Sequence, residues 1–559
     1  MIDPVTVQIF RNRIGCLMDE MSHHFFRSGY STIVRESRDF SCMIVDAQGR
    51  FLVSPPMFYH TTAIYHLVRR LTEIYGSDGL GDGDLFVCNH PYEGAVPHAS
   101  DVTVIAPIVA DGIRIGFSAS IAHKADIGGT VPGSSFGQAT EMFQEGLLLP
   151  PMRLRTAGVP NPDIERLIAA NSRQPETVLG DLRSQIGAVG IGRDRMKALA
   201  AEHGAATVRD AIAQMIEASG REIRAALKRL PDGTSEAEGF LDGDGNAVDK
   251  PVRMHARVTV ANGVVTFDFT DADPQRKGPV NLRPALVESC CYYVLIGLID
   301  PTLRFSDSAR DSIRILSTPG TVLHAVPPAP CSSYMKSCQK LIDVLIEALN
   351  PFCPARAAAS AGGSGGSATI AWGEGPRKVD GNQHEIFGSA YGGANGQDGA
   401  SGTTVHLSNI YITPIEIVET EYPCRIRRFE LIPGSGGDGE FRGGLSFRRE
   451  YELLQPATVM YRGDKAVFGP KGYAGGADGR TSRFLVNPDG ADEKILPAVC
   501  RVDLKAGDRF RVEAAGGGGY GDPKKRRPEA RRQDAEDGYS ARDEERHAAV
   551  SPDGRPVLT

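Results

Sequence analysis

Residues 85–123 read LFVCNHPYEGAVPHASDVTVIAPIVADGIRIGFSASIAH and contain three apolar runs separated by turn-forming residues. The runs are short and rich in Val and Ile, and Gly, Pro and Asp lie between them, a pattern typical of neighbouring β-strands. This stretch therefore predicts a sheet in the N-terminal part of the chain.

Helical patterns lie on both sides of these strands. Apolar residues recur at helical spacing over residues 4–29 and again over 61–76. Between the two helices, SCMIVDAQGRFLV (41–53) carries two apolar runs around the turn 46–49, which predicts a β-hairpin. From Asn161-Pro162, which supplies a helix cap and a first-turn proline, a helical block extends to about residue 232.

The remainder of the chain mixes both kinds of element and predicts an α+β fold class. Strands are expected over 234–270, with a two-residue turn at Asn262-Gly263, and helices near 282–299 and 335–349. Short strands with Gly-rich turns follow from 421. We expect an N-terminal α+β metal-site region (1–160), the helical block (161–232), a central α+β region with Gly-rich loops (233–420), a β-rich region (421–522) and a charged tail (523–559).

Composition narrows the class of protein. The net charge is −7, which argues against a nucleic-acid binder, because that function needs a basic surface. The longest apolar run, about residues 292–299, is far shorter than the ~20 residues of a membrane-spanning helix. Ten cysteines without CxxC spacing and without an export signal predict reduced thiols in a cytoplasmic protein. Glycine is unusually frequent, at 64 of 559 residues.

Four side chains are candidate metal ligands. His98 and Asp101 stand three residues apart just before one predicted strand, and His123 ends the next. Two adjacent strands can bring such side chains together at one sheet edge, and imidazole with carboxylate suits Zn, Mn or Fe(II). Asp39, at the start of another strand, could add a second carboxylate. Hydrogen-bonded loop histidines are the alternative, and spacing alone leaves both interpretations open.

Other motifs favour ordinary structure. The Gly-rich segment SAGGSGGSATIAWG lacks GxxxxGK[ST] and no GxGxxG follows a strand, so no ATP-binding residues are predicted. The formal GxSxG at 362–366 lacks the strand-to-helix context of a serine nucleophile.

Several ordered motifs resemble the hydantoinase B/oxoprolinase family. They are RESRDFSCMIVDAQGR, HPYEGAVPHASDVTVIAP, IAHKADIGG, MFQEGLLLPP, SGGDGEFRGGLSFRREY and GGGGYGDP, in order along nearly the whole chain. Members are subunits of ATP-dependent enzymes that act on cyclic amides such as hydantoins, 5-oxoproline and other lactams. The family's metal-binding pattern falls on Asp39, His98, Asp101 and His123.

The resemblance implies a hetero-oligomer with a division of labour. A hydantoinase A-type partner subunit would use ATP and Mg to phosphorylate the carbonyl oxygen of the substrate, and this chain would hydrolyse the activated ring with one divalent metal, zinc or manganese. Asp39 and Glu145 are the candidate catalytic carboxylates. A subunit of an acetophenone-type ketone carboxylase and a non-catalytic scaffold are the alternatives.

Two segments depart from the family pattern. The chain has GGSGGSAT where many relatives have a GGTxNN-like run, and LSNIYITP (407–414) where they have a TNTxNTP-like run. The second change replaces two polar positions by Ile410 and Ile412. If these loops line the substrate pocket, a substrate less polar than hydantoin is expected.

Overall fold

The computed structural model describes residues 2–55, 57–303, 306–373 and 381–540. The helices are α1 (Pro4–Ser28), α2 (Ala63–Tyr75), α3 (Pro162–Asn171), α4 (Pro175–His203), α5 (Ala205–Leu227), α6 (Pro284–Ile299), α7 (Tyr334–Leu349), α8 (Ile415–Glu421) and α9 (Pro528–Glu536). The strands of the N-terminal half are β1 (Phe40–Asp46), β2 (Leu85–Cys88), β3 (Asp101–Ala110), β4 (Ile113–His123), β5 (Met152–Thr156), β6 (Val159–Pro160), β7 (Gly233–Leu241), β8 (Val252–Ala261) and β9 (Val264–Asp268).

The strands of the C-terminal half are β10 (Ile313–Leu316), β11 (Ser367–Trp372), β12 (Gly381–Ile386), β13 (Ser389–Ala390), β14 (Ser401–Thr403), β15 (Cys424–Leu431), β16 (Phe447–Leu453), β17 (Ala457–Arg462), β18 (Arg483–Val486), β19 (Lys494–Leu496), β20 (Val499–Leu504) and β21 (Arg509–Glu513). Helices and sheets thus alternate through the described chain, and the predicted α+β class is confirmed. The division into five segments stays a prediction.

The first sheet has the order β1-β4-β3-β2-β5-β6 and is covered on both faces. Along β1, Met43 and Val45 pack into one hydrophobic cluster with α2, α6 and α7, whereas Cys42 and Ile44 pack with α1, α4 and α5. Because successive side chains of a strand point to opposite faces, an uninterrupted apolar strand is what a doubly covered sheet requires.

The other sheets build the rest of the molecule. β10-β9-β8-β7 packs against α7, and its residues share one apolar cluster with the first sheet. In the C-terminal part, β12-β11-β17-β20 and β15-β16-β21-β18-β19 enclose a third cluster around residues such as Tyr451, Tyr461 and Phe510. Thr369 and Ser367 of β11 pair with His384 and Arg462, respectively, so this sheet carries polar residues at one end.

The glycine excess has a packing cause in the segment 516–519. A Cβ on Gly517 would lie 2.0 Å from the carbonyl oxygen of Tyr391, and one on Gly518 would lie 2.1 Å from that of Lys471. The same segment is hydrogen-bonded to several extended chains, for example from Gly518 N to Ser360 O at 2.9 Å. Backbone therefore packs directly on backbone here, and only glycine fits.

Most predicted elements are confirmed. The helix predicted over 4–29 is α1, and Asn161 caps α3 by accepting from Asp163 N at 3.2 Å. The turn at Asn262-Gly263 has positive φ at both residues, as a two-residue hairpin needs.

The hairpin predicted for 41–53 is wrong in its second half. Residues after the turn contribute only an isolated bridge, Val45 with Phe51, and β1 pairs along its length with β4. The strand β4 offers β1 seven paired positions, whereas Gly49 in the turn lies against Tyr65 and Val68 of α2.

The charged C-terminal segment lies partly outside the described residues, which end at 540. Its described part forms α9, which has no buried residue and is held by ion pairs. Arg526 contacts Asp398 at 2.7 Å and Asp534 at 2.6 Å, so charges rather than an apolar face dock this helix.

We expect Gly517→Ala to destabilise the fold by about 3 kcal/mol or more, because the new methyl group collides with a backbone atom that cannot move alone. Gly15→Ala is the control. Gly15 lies within α1 with nothing within 4 Å of its Cβ position, so this change should stabilise by up to ~1 kcal/mol. Equilibrium denaturation of both variants measures the difference, and an unchanged free energy of unfolding in Gly517→Ala would contradict the packing argument.

Candidate metal centre

The candidate ligands meet at one end of the first sheet. Asp101 begins β3 and His123 ends β4, and the two are direct partners in the antiparallel register. Asp39 immediately precedes β1, where its carbonyl accepts from His123 N at 3.1 Å. His98 reaches the same place through a turn closed by Asp101 N donating to His98 O at 3.0 Å. The strand-edge convergence expected from sequence is therefore observed.

A tight turn brings Asp39 into position. The preceding residues 33–37 form a π-helical turn, and Arg38 then adopts the left-handed conformation with φ of 54°. Left-handed backbone is uncommon for a residue with a side chain and is found where the surroundings demand it. Here it redirects the chain into β1, so that Asp39 points into the cluster.

The donor atoms lie close together around one point. His98 Nε2 is 3.1 Å from Asp101 Oδ1 and 3.2 Å from His123 Nδ1, and the last two atoms are 3.4 Å apart. Asp39 Oδ2 is 3.9 Å from His123 Nδ1. In a tetrahedral site with bonds of about 2.0–2.1 Å, ligand atoms are separated by roughly 3.3 Å. The spacing of these atoms therefore suits a bound divalent ion.

Buried polar atoms around the cluster lack partners in the described chain. Asp101 Oδ2 and His60 Nε2 have no hydrogen bond and lie 3.9 Å apart. Asp39, Asp101, His98 and His123 are each no more than 5% exposed. Burying two carboxylates with incompletely paired polar atoms is unfavourable unless a cation compensates them. This environment fits a metal better than a set of hydrogen-bonded histidines.

The pKa values of the two carboxylates shift in opposite directions. Burial works to raise the pKa of Asp101, but His98 and His123 outweigh it, and the net effect is a pKa below the usual range. For Asp39, burial dominates the attraction of His123 and raises the pKa to about 7. Burial lowers the pKa of His98 and takes that of His60 to about 4, which favours the neutral imidazole that metals bind.

Sequence reasoning missed four residues around the cluster. His384 on β12 stacks on His123 with ring centres 5.1 Å apart, and its Nδ1 is 2.8 Å from Thr369 Oγ1. Tyr334, the first residue of α7, lies with its ring 5.1 Å from that of His98. His60 and Arg462 complete the surroundings. These residues come from distant parts of the chain and belong to no local motif.

A small cavity, partly open to solvent, lies beside the candidate ligands. It is lined by Asp39, His98, His123, Ser332, Ser333, Tyr334, Met335, Lys336, Ser364, Ser367, His384, Ile386 and Arg462. The Gly-rich segment that departs from the family pattern thus reaches the cavity through Ser364 and Ser367. Ile410 and Ile412 do not line it, and they pack in separate apolar clusters. The replacement of two polar positions by Ile410 and Ile412 therefore gives no support for a less polar substrate.

Glu145 is buried but lies outside this cavity lining. Its Oε1 accepts from Cys331 N at 2.8 Å and from Ser332 N at 2.7 Å, just before α7. Burial raises the pKa of Glu145 to about 7, and these backbone donors oppose the shift. The contacts show a carboxylate that holds the turn leading to α7, and its assignment as a general base stays a prediction.

The described residues contain no helix long and apolar enough to cross a membrane. In the same part of the chain, His98, Asp101 and His123 are the group of three or more metal-binding side chains whose donor atoms converge.

Fold and cluster together define a protein with a buried two-histidine, two-carboxylate centre at the edge of a doubly covered sheet. The chain belongs to the hydantoinase B/oxoprolinase family, whose sequence profile matches residues 3–523. The family resemblance expected from the sequence motifs is thereby confirmed.

Two curated relatives and one solved structure show the extent of the likeness. A protein of Pseudomonas sp. (strain NS671), named as the B-type subunit of a D-/L-hydantoinase, is 31% identical over 96% of this chain and 93% of its own. The β-subunit of the caprolactamase of Pseudomonas jessenii is 27% identical over 94% and 92%. The crystal structure of the ATP-dependent caprolactamase from Pseudomonas jessenii shares the fold, with a TM-score of 0.89, 24% identity and coverage of 99% and 98%.

We expect Glu145→Gln to change stability in a pH-dependent way. The folded pKa of Glu145, about 7, is above its ordinary value of 4.5, so the wild type loses stability as pH rises through this interval. The glutamine does not titrate, and its Oε1 can keep both backbone hydrogen bonds. The free energy of unfolding of the variant relative to wild type should therefore rise between pH 4.5 and 7 and level off above.

Denaturation of chelator-treated protein across this pH range measures the effect. Glu176→Gln, at an exposed position in α4, is the control and should follow the wild type at every pH. A difference for Glu145→Gln that stayed constant with pH would contradict the shifted pKa.

Proposed function

We propose that this chain is the metal-dependent hydrolytic subunit of an ATP-dependent cyclic-amide hydrolase of the hydantoinase, 5-oxoprolinase or lactamase type. The observation that carries the proposal is the convergence of Asp39, His98, Asp101 and His123 beside a cavity in a chain of this family. The relatives named for a hydantoinase and a caprolactamase support a cyclic amide as the substrate class.

The donor set suits one divalent ion, zinc or manganese. Two imidazole nitrogens and two carboxylates offer four ligands whose negative charge matches a dication. When bound, such an ion acts as a Lewis acid and lowers the pKa of water toward neutrality. His98, Asp101, His123 and Asp39 would hold it, and His384 fixes the orientation of His123 by stacking on its ring.

The overall reaction explains the need for ATP. An amide carbon resists attack by water because resonance with nitrogen reduces its electrophilicity. Phosphorylation of the carbonyl oxygen removes this protection. Water then adds to the ring carbon, the C–N bond breaks with nitrogen taking up a proton, and phosphate is released by a second water. The balance is one cyclic amide, one ATP and two waters giving one ring-opened acid, one ADP and one phosphate, the acid being an amino acid from a lactam and an N-carbamoyl amino acid from a hydantoin.

Asp39 is the stronger of the two candidate bases for accepting the proton of the attacking water. It lines the cavity, whereas Glu145 does not, and both oxygens of Glu145 already face donors of the segment 331–332. Burial raises the pKa of Asp39 to about 7 when no cation is bound, and a carboxylate of this kind is suited to take up a proton at physiological pH. Asp39 acts as a metal ligand or as the base. If it is a ligand, its replacement lowers the metal content; if it is the base, the metal content stays the same.

Phosphorylation is assigned to a partner of the hydantoinase A type, which would bind ATP and Mg. The chain's Gly-rich segments lack a phosphate-binding loop, and the two relatives are named as subunits. The active species would then be a hetero-oligomer.

We expect purified protein to retain about one zinc or manganese per chain. Asp101→Asn and His98→Ala should each lower metal affinity by tenfold or more, because each removes a ligand from a buried site. His255→Gln is the matched control, since His255 is buried on β8 and outside the cavity. Metal analysis after dialysis measures the content, and full retention of metal in both ligand variants would remove these residues from the site.

We expect ring opening by this chain together with its partner, ATP and a cyclic amide to fall at least 100-fold in His123→Ala, with the His255→Gln control near wild type. A panel of hydantoin, 5-oxoproline and larger lactams, with and without bicarbonate, identifies the reaction. Product formed only with bicarbonate and a ketone would establish the carboxylase alternative. Undiminished ring opening in metal-free His123→Ala protein would leave the chain a scaffold.

A further inference from the structure

Two cationic side chains, one buried and one half-buried, line the cavity without an ion-pair partner. They are Lys336, in the first turn of α7, and Arg462, at the end of β17. Within the described ranges, no carboxylate lies within 4 Å of either charged group. Lys465, a buried lysine outside the cavity lining, shows the paired arrangement, with its Nζ 2.5 Å from Asp343 Oδ2.

The contacts of Arg462 are to neutral groups. Its guanidinium donates to Ser332 O at 3.1 Å and to Ser135 Oγ at 3.3 Å. Burial lowers the pKa of Arg462 to about 10, with Glu145 and Tyr334 opposing the shift from a distance. The guanidinium is thus fixed in place by the protein while its charge stays uncompensated.

Lys336 is 8% exposed and its pKa is lowered by burial. The carboxylates that act on it electrostatically, Asp464 and Asp242, are engaged elsewhere. Asp464 accepts from Asp242 N at 3.0 Å, and Asp242 accepts from three backbone amides at residues 466–468. A buried ammonium without a close counter-ion is costly, and because Lys336 lines the cavity a bound anion can supply the missing negative charge there.

Hydroxyl groups at the start of α7 point to the same ligand. Ser332 and Ser333 line the cavity and are 4% and 6% exposed. The hydroxyl of Ser333 has no hydrogen-bond partner in the described chain, and the hydroxyl of Ser332 faces Glu145. Ser333 is the N-cap of α7 and its side chain makes no cap hydrogen bond. The free amide groups and the dipole at the N-terminus of this 16-residue helix favour an anion.

We propose that Lys336, Arg462, Ser332 and Ser333 form an anion subsite that binds a phosphoryl dianion beside the candidate metal ligands. The shared chemistry is that of a phosphate monoester or of inorganic phosphate: two negative charges and several acceptor oxygens, facing two cations and two hydroxyl donors. The identification of the anion as phosphoryl rests on the proposed function, in which both a phosphorylated substrate and free phosphate occur. The unpaired cations themselves do not depend on it.

The subsite gives the cavity lining two kinds of chemistry. The candidate ligands contribute imidazole and carboxylate groups, and the segment 332–336 and the end of β17 contribute two cations and two hydroxyls. A substrate whose phosphorylated oxygen is bound by Lys336 and Arg462 is thereby oriented with its carbon toward Asp39 and the histidines. This orientation would separate activated substrate from unphosphorylated ring, which has no charge for the cations to bind.

Calorimetric titration of the full chain with inorganic phosphate tests the subsite. We expect binding in both metal-loaded and chelator-treated protein, and a loss of affinity of about tenfold or more in Lys336→Gln and in Arg462→Gln, since each removes a charge-assisted contact. Lys340→Gln is the matched control. Lys340 lies one turn further along α7, is also buried and does not line the cavity, so its variant should bind phosphate as the wild type does.

Absence of phosphate binding by the wild type would overturn the subsite. So would binding that disappears with the metal, or that weakens equally in Lys336→Gln and Lys340→Gln. Retention of metal by each variant shows that it is folded around the cavity. Phosphate binding through Lys336 in a chain that opens no ring with its partner would leave the subsite standing and refute the proposed function.

The source of the anion is decided in the assembled enzyme. If a phosphorylated substrate occupies the subsite, Lys336→Gln should raise the ATP consumed for each ring opened. If the subsite holds departing phosphate, this ratio should stay at the wild-type value and inhibition by added phosphate should weaken. A Lys336→Gln enzyme with neither change would contradict a phosphoryl role.

Discussion

The burial of Asp39 and Asp101 among imidazoles is the constraint on which the rest of this structure depends. Two carboxylates buried at one end of a sheet that is covered on both faces need a compensating positive charge nearby, or the site is less stable than an apolar one. The sheet cannot supply that charge, since both of its faces are packed with aliphatic residues. The structure therefore brings polar residues from α7, β12 and β17 over this edge and leaves the donor atoms spaced for a cation.

A second buried charge pair keeps this cover in place. Lys465 contacts Asp343 of α7 and also donates to Ala361 O at 2.5 Å, while Asp343 accepts from Ala361 N at 3.0 Å. His406 lies 3.3 Å from the same carboxylate. The polar contacts join α7, the start of the Gly-rich segment and the chain after β17. The cavity walls are thus tied together by groups that do not touch the candidate ligands.

Local sequence patterns predicted the helices and strands that local interactions determine. Helical periodicity and caps predicted α1 and α3, and the alternation of apolar runs with turns predicted β3 and β4, whose ends placed Asp101 and His123 near each other. The second half of the 41–53 hairpin was wrong, because a longer partner strand was available far away in sequence. His60, His384, Lys336 and Arg462 were not found, since their importance comes only from tertiary proximity. Their isolated positions on helix, strand and loop carry no periodic signal.

The glycine segment 516–519 has a consequence for how the chain folds during its synthesis on the ribosome. All four candidate metal ligands lie within the first 123 residues, and the sheet that presents them can form early in synthesis. The backbone segments around Tyr391, Lys471 and Asp438 can pack together only after Gly517, Gly518 and Gly519, which lie against them, have been synthesised. The nascent chain therefore carries the four candidate ligands long before α7, β12, β17 and the glycine segment have been synthesised. Until then a cation could reach these side chains from solvent without passing through a folded wall.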